Sequence, residues 1–225
     1  GLFKGLLDNL QTEVRVFGNF PSLFMSLVGK DGEWEHYGGH IRFTDSNGNI
    51  VADNLSEDDY QQYIGEAVEP WSYLKFPYYK PLGYPDGIYR VGPLARLNIC
   101  DRIGTPKADR ELQEFRQRAG GVATSSFFYH YARLVEILAA IERIAELVED
   151  PELRSPHTRA KAGINCLDGI GVSEAPRGTL FHHYQVDEDG AIAKVNLIIA
   201  TGHNNLAMNK TISQIAQHYI HNGDV

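Results

Sequence analysis

The sequence has little cysteine, no long apolar run and fewer basic than acidic residues. Two cysteines, Cys100 and Cys166, are too few for a disulfide framework or a self-contained zinc site. They favour a reducing compartment, so we expect a cytoplasmic protein. Glu136 and Asn196 interrupt the two longest apolar runs, which excludes a transmembrane span. The short, partly polar start GLFKGLLDNL is not typical of a signal peptide.

The shortage of basic residues limits the partners. Lys and Arg number 21 against 29 Asp and Glu, and the net charge is −8. This balance predicts neither a nucleic-acid partner, which would need a basic surface, nor a polybasic membrane surface. The 225 residues suit one medium domain or two small ones, and 43% hydrophobic residues are enough for a real core.

The first half of the chain mixes both kinds of apolar periodicity. Apolar spacing of three and four predicts helix over 1–28, with Pro21 separating a second short helix that Ser22 could cap. Residues 33–53 are predicted to form a hairpin, because Asn47-Gly48 fits a turn in which both residues have positive φ. Five prolines make 70–93 an irregular segment, more plausibly a packed loop than a surface for another chain.

The second half has the clearest helical pattern. A wide apolar stripe predicts one continuous helix over 124–149, about 40 Å long. A second hairpin is expected over 179–201 and an amphipathic helix over 208–220. The fold class is therefore α+β, with long core helices and β-hairpins. We expect one part over 1–110 with helix, hairpin and the Pro/Tyr-rich segment, and another over 111–225 with the long helix and a hairpin.

The chemistry-bearing residues concentrate in 168–184, since phosphate-loop, nucleophile-elbow and H-E-x-x-H motifs are absent. Pro176 and Gly178 bracket Arg177, which would present a guanidinium rigidly at a loop that leads into a strand. A permanent cation with five donors suits an anion or a strongly dipolar ligand. The competing interpretation is an Arg177–Glu174 ion pair that only stabilises a turn.

Three separated segments resemble one family, in the order expected for it. They are YPDGIYRVGPLARLNICDRIGTP at 84–106, EAPRGTLFHHYQVDEDG at 174–190 and KVNLIIATGHNN at 194–205. All three are similar to the large, catalytic subunit of nickel–iron hydrogenases, and most closely to the cytoplasmic, NAD-reducing, bidirectional type. The resemblance covers most of the chain. It implies the α+β fold of that large subunit.

The resemblance also implies roles for particular residues. Arg177 and Pro176 match the family residues that overhang a Ni–Fe centre carrying cyanide and carbonyl ligands. Thr201, after Ala200, matches a Ser or Thr that donates a hydrogen bond to a cyanide. Asn196 falls where a backbone carbonyl helps to bind magnesium or a similar cation. Glu174 would orient Arg177 or its loop.

The family holds its centre with two C-x-x-C pairs, and this sequence has neither. We therefore expect a central fragment of the subunit that is inactive alone, binds no metal and tends to self-associate. Expected partners in the parent enzyme are an iron–sulfur small subunit and NAD-reducing diaphorase subunits. Two alternatives remain: a metal-free homologue of the large peripheral-arm subunit of respiratory complex I that forms a quinone site, and an interaction domain without chemistry.

Overall fold

A computed structural model describes residues 2–159 and 166–221, and the fold is given for those residues. The first half contains α1 Leu2–Asn9, α2 Gln11–Val16, β1 Leu23–Val28, β2 His40–Thr44, β3 Ile50–Leu55, α3 Tyr60–Tyr63, β4 Ile64–Val68, β5 Lys75–Tyr79, β6 Tyr89–Arg90 and α4 Pro93–Ile99. The second half contains α5 Pro106–Ala119, α6 Phe128–Val148, β7 Asp168–Ala175, β8 Gly178–Val186, β9 Ile192–Ile198, α7 Ala200–His203 and α8 Asn205–Tyr219. The α+β prediction is confirmed.

The central strand β1 corrects the helix predicted at Ser22 and beyond. Every residue of β1 is buried. Phe24 packs into a core shared with α4, α5 and α6, while Met25 packs into a second core on the opposite face of the sheet. A strand buried on both faces has no polar side, so its apolar run cannot be distinguished from a helix by periodicity. Helix formation predicted over 1–28 is therefore limited to α1 and α2.

The predicted hairpin over 33–53 is present as β2 and β3, but its turn differs from the prediction. The sheet order is β3-β2-β1-β6, with β1 antiparallel to β2 and parallel to β6. In the turn, Gly48 has φ +86°, whereas Asn47 does not have positive φ. The Asp45 carboxylate accepts hydrogen bonds of 2.8 Å from the backbone N–H groups of Asn47 and Asn49. This cap stabilises a longer turn that needs only one left-handed residue.

The Pro/Tyr-rich segment 70–93 is more regular than predicted. Strand β5 lies within it and pairs antiparallel with β4, with Pro77 opposite Glu66. Proline is tolerated there because a two-stranded sheet leaves one side of each strand free of ladder hydrogen bonds. Phe76 is buried, whereas Tyr73 is 96% exposed. The segment is therefore part packed ribbon and part exposed aromatic surface.

The long helix is continuous, as predicted, but it begins at Phe128 rather than near residue 124. Its 21 residues span about 32 Å. One face, including Tyr131 and Val135, packs into the core with α4 and α5. Ile141 and Ile144 on another face are 59% and 60% exposed. The predicted apolar stripe is thus only partly buried within the described residues.

The C-terminal sheet has the order β7-β8-β9 and is antiparallel throughout. The predicted hairpin over 179–201 corresponds to β8 and β9, and the predicted helix over 208–220 lies within α8. Strand β7 was not predicted, since glycines at 169 and 171 mask its alternation. Among the described residues, no helix is long and apolar enough to cross a membrane.

Candidate functional site

Arg177 lies at the tip of a two-residue turn between β7 and β8. Ala175 pairs with Gly178, so Pro176 and Arg177 are the two central residues of the turn. The Pro176 ring fixes φ near about −65°. This excludes the type I′ and II′ turns that two-residue hairpins prefer, because both need positive φ at the first central residue. The Arg177 side chain is exposed, as the sequence predicted for a presented guanidinium.

Two glycines allow the turn to pack closely against the chain that precedes α4. Gly178 has φ +140°, and a β-carbon there would clash with the Val91 side chain. A β-carbon at Gly92 would lie 2.7 Å from the backbone oxygen of Arg177. Both positions therefore require glycine on steric grounds. The turn is seated against Val91 and Gly92 by direct backbone contact.

Glu174 does not pair with Arg177, which corrects the expected contact. Its side chain is fully buried, and Oε2 accepts a hydrogen bond of 2.6 Å from Arg96. Its Oε1 accepts hydrogen bonds of 3.0 Å from the Leu27 N–H and 2.8 Å from the Thr179 hydroxyl. These partners lie beneath the sheet, whereas Arg177 is exposed at its end. The described residues provide Arg177 with no ion-pair partner.

Arg96 is the buried cation beneath the turn. Its side chain is 2% exposed and donates to both oxygens of Glu136, at 2.6 and 3.0 Å, as well as to Glu174. Burial lowers the pKa of Arg96, but the two carboxylates outweigh burial and hold it above its ordinary value. Burial raises the pKa of Glu136, and the Arg96 charge opposes that rise only in part. The guanidinium is thus charged and fully engaged.

Ala200 and Thr201 lie at the same end of the sheet as Arg177. Phe181 pairs with Ile198, and continuing that antiparallel register places Thr201 opposite Gly178. Ala200 is buried at the start of α7, whereas Thr201 is exposed. The Asn204 side chain at the end of α7 accepts a 2.9 Å hydrogen bond from the Val91 N–H. The contact ties α7 to the residue that packs on Gly178.

Asn196 lies apart from this end of the sheet. It pairs with His183, which is six residues along β8 from Arg177, or about 20 Å of extended strand. Its side-chain amide donates to the Tyr60 hydroxyl at 3.0 Å and to Glu66 at 2.9 Å. The structure therefore brings Arg177, Pro176, Ala200 and Thr201 together and leaves Asn196 outside that group.

The donor set does not fit a Ni–Fe centre held by this chain alone. Residues 2–159 and 166–221 contain no group of three or more His, Cys, Asp or Glu side chains placed to hold a metal ion. Burial raises the pKa of Cys100 to about 12, which keeps its thiol protonated, and Cys166 is exposed. Two cysteines cannot supply four thiolates. The residues grouped around Arg177 could cover such a centre but could not ligate it.

Sequence reasoning missed the supporting residues Arg96 and Glu136. One signal was available: Arg96 stands in PLARLNI, an otherwise mostly apolar helix. A charge inside such a helix needs a buried partner. Its partners lie 40 and 78 positions away along the chain, so the sequence did not identify them.

Comparisons with known proteins agree with this fold and site. The profile of the nickel-dependent hydrogenase family matches residues 33–214. A subunit of the vhu F420-non-reducing hydrogenase of Methanococcus voltae is 42% identical over 96% of this chain and 51% of its own length. The beta subunit of the NAD-reducing hydrogenase HoxS of Cupriavidus necator is 40% identical over 97% of this chain and 45% of its own length.

Solved structures give the same result. A crystal structure of an NAD+-reducing NiFe-hydrogenase in the H2-reduced state aligns with a TM-score of 0.93 and 42% identity, over 100% of this chain and 50% of that one. A NiFeSe hydrogenase from Desulfovibrio vulgaris Hildenborough aligns with a TM-score of 0.64 at 19% identity and shares the fold. The chain belongs to the nickel-dependent hydrogenase family, which confirms the resemblance. It spans about half the length of the curated relatives that it matches.

Proposed function

We propose that this chain is part of the catalytic subunit of a hydrogenase that reversibly oxidises molecular hydrogen at a Ni–Fe centre and delivers the electrons to NAD. The observation that carries the proposal is the exposed Arg177 guanidinium, fixed on a proline-containing turn and left without a counter-ion by the described residues. NAD is proposed as the acceptor because of the 0.93 TM-score and 42% identity to the NAD+-reducing enzyme.

In this proposal Arg177 and Thr201 form a polar cover for the metal centre. Arg177 supplies a permanent positive charge next to anionic cyanide ligands, and Thr201 supplies an exposed hydroxyl donor. Pro176 and Ala200 shape the two backbone segments that carry these groups. The centre itself would supply the redox and Lewis-acid chemistry. Thiolates other than Cys100 and Cys166 would have to complete its ligand set, so the isolated chain is proposed to be inactive.

The remaining expectations become proposals about the whole enzyme. The backbone carbonyl of Asn196 would help to bind magnesium or a similar cation. An iron–sulfur small subunit would receive the electrons, and diaphorase subunits would pass them to NAD in the cytoplasm. The division of the chain at residue 110 into two parts also stays a proposal.

The test is to purify the multi-subunit enzyme that contains this chain, without chelators, and to measure nickel and hydrogen-dependent NAD reduction. We expect one nickel per complex and NAD reduction that requires hydrogen. The isolated 225-residue chain, purified in parallel, should hold no stoichiometric nickel. A complex that lacks nickel but reacts with a quinone would instead support the metal-free alternative. Hydrogen uptake with artificial dyes but not with NAD would reject the NAD assignment alone.

A further inference from the structure

The turn that carries Arg177 needs support from outside its own hairpin. Pro176 excludes the turn types whose twist matches a two-residue hairpin. The alternative turn splays the strands and leaves its carbonyl groups without ladder partners. Two arginines compensate for this. Arg96 donates to the Ala175 oxygen at 2.9 Å, and Arg133 and Arg96 lie 3.4 and 3.5 Å from the Pro176 oxygen.

Arg96 joins these carbonyl groups to three elements of the fold. It stands on α4, pairs with Glu136 on α6, and bonds Glu174 at the end of β7. Its side chain and that of Glu174 are 2% and 0% exposed, which makes these contacts strongly geometry-dependent. Glu174 in turn bonds the Leu27 N–H of β1. A rigid path therefore runs from the central sheet to the backbone on either side of Pro176.

We propose that Arg96 is a positioning residue for Arg177: held by Glu136 and Glu174, it fixes the Ala175–Pro176 carbonyl groups and thereby the direction in which the Arg177 guanidinium points. The proposal rests on the proposed function for the role of Arg177, but the fixing of the turn is a property of this chain alone. Lysine cannot replace Arg96, because one ammonium cannot reproduce the planar fork that reaches two carboxylates and two backbone oxygens at once.

The chain offers a matched control in Arg90. Its side chain is also buried and bonds the Ser22 hydroxyl and the backbone oxygens of Phe20 and Thr124. Within the described residues, none of its hydrogen bonds reaches 175–178. Burial without a carboxylate partner lowers its pKa to about 10. Arg90→Lys thus removes a comparable buried guanidinium without touching the turn.

The first measurement is hydrogen–deuterium exchange of peptides spanning 173–181 in the intact enzyme. In Arg96→Lys we expect exchange about tenfold faster in this segment, because local opening becomes easier, and less than about twofold change in Arg90→Lys. Equal acceleration in both variants, or none in Arg96→Lys, would overturn the proposal. If Arg96→Lys does not fold, Glu136→Gln decides: faster exchange at 173–181 supports the positioning role, and unchanged exchange rejects it.

The second measurement is the turnover number and KM for hydrogen, with activity expressed per bound nickel. A purely structural role would reduce the amount of loaded enzyme and leave turnover per nickel unchanged. We expect Arg96→Lys to lower turnover per nickel about tenfold with KM within about twofold, because a displaced Arg177 loses a preorganised contact. Faster exchange in an enzyme that never oxidises hydrogen would reject the proposed function and leave the positioning of the turn standing. Faster exchange with unchanged turnover per nickel would reject the link to Arg177.

Discussion

Glu174 and Arg177 stand three positions apart in the same hairpin, yet the Glu174 carboxylate bonds Arg96 at 2.6 Å and leaves Arg177 exposed. An ion pair within the EAPRG sequence was the simplest structural explanation for Arg177. Because Glu174 is fully engaged elsewhere, the charge of Arg177 is not needed to hold the turn. The stability of the fold and the role of Arg177 can therefore be separated by experiment.

The first prediction concerns Arg177→Lys in the metal-loaded enzyme. We expect hydrogen uptake per nickel to fall about 10²–10³-fold, the usual effect of losing one preorganised electrostatic contact. Lysine keeps the charge but loses the planar fork. The thermal midpoint should stay within about 1 °C, since an exposed side chain without a partner among the described residues contributes little to stability.

Arg143→Lys is the control for this prediction, because Arg143 is 67% exposed and pairs with Glu146 on the same helix, α6. It should change neither activity nor midpoint. A lower midpoint for Arg177→Lys with near-normal uptake per nickel would show that Arg177 acts in stability alone.

The second prediction concerns the two cysteines. Cys100 is 1% exposed and burial raises its pKa to about 12, so its thiol should not react near neutral pH. Cys166 is exposed. A chromogenic disulfide reagent should therefore modify Cys166 in the folded chain and both thiols after denaturation. In Cys166→Ser the fast reaction should disappear. Equal rates at the two thiols of the native chain would contradict the burial of Cys100.

Much of the fold followed from the sequence wherever one face of an element is apolar and the other polar. The helix over 128–148 and the β8–β9 hairpin are of this kind. Strand β1 was predicted as helix because it is buried on both faces and has no polar side to set a period. Strand β7 was missed because two glycines remove the side chains that would have shown alternation.

The site was predicted in outline and missed in its support. Proline before and glycine after Arg177 indicated a rigidly presented guanidinium, and the structure has that turn. The residue pairs that support it are separated by 40 and 78 positions along the chain, and such contacts are set by tertiary packing. Glu174 was given the wrong partner because sequence reasoning favours near neighbours.

The third prediction concerns the exposed apolar face of α6, formed by Leu134, Ile137, Ile141, Ile144 and Leu147. These side chains are 49–60% exposed. Contiguous apolar surface of this kind promotes association. We expect the purified chain to self-associate or to enhance the fluorescence of a hydrophobic dye. Ile141→Glu with Ile144→Glu should suppress both with little change in thermal midpoint, because neither side chain is buried.

Ile192→Glu is the matched control for the α6 face. Ile192 is 62% exposed on β9, away from α6, so its substitution should leave dye binding and association unchanged. A strictly monomeric parent chain without a dye response would contradict the prediction.

The fourth prediction concerns His203 and the pH dependence of stability. His203 is fully buried, and its Nδ1 lies 2.5 Å from the Tyr89 hydroxyl. Burial lowers the pKa of His203 to about 3, whereas an unfolded histidine titrates near about 6.5. The folded state therefore keeps the ring neutral while the unfolded state gains a proton. The contribution of His203 to stability is full above about pH 6.5 and is lost progressively as pH falls toward the folded pKa.

Below about pH 6.5 this single group should reduce the free energy of unfolding by about 1.4 kcal/mol per pH unit, or about 2 kcal/mol between about pH 7.5 and 5.0. Urea unfolding of the purified chain at these two pH values and at one between them measures the loss. His203→Gln lowers stability at neutral pH but should remove about 2 kcal/mol of the pH dependence, because glutamine can keep a contact to Tyr89 and does not titrate. His157→Gln, at an exposed histidine, should leave the pH dependence unchanged. If His203→Gln lost stability with acid as steeply as the parent chain, another group would be responsible, and His36 would be the next to replace, since burial lowers its pKa as well.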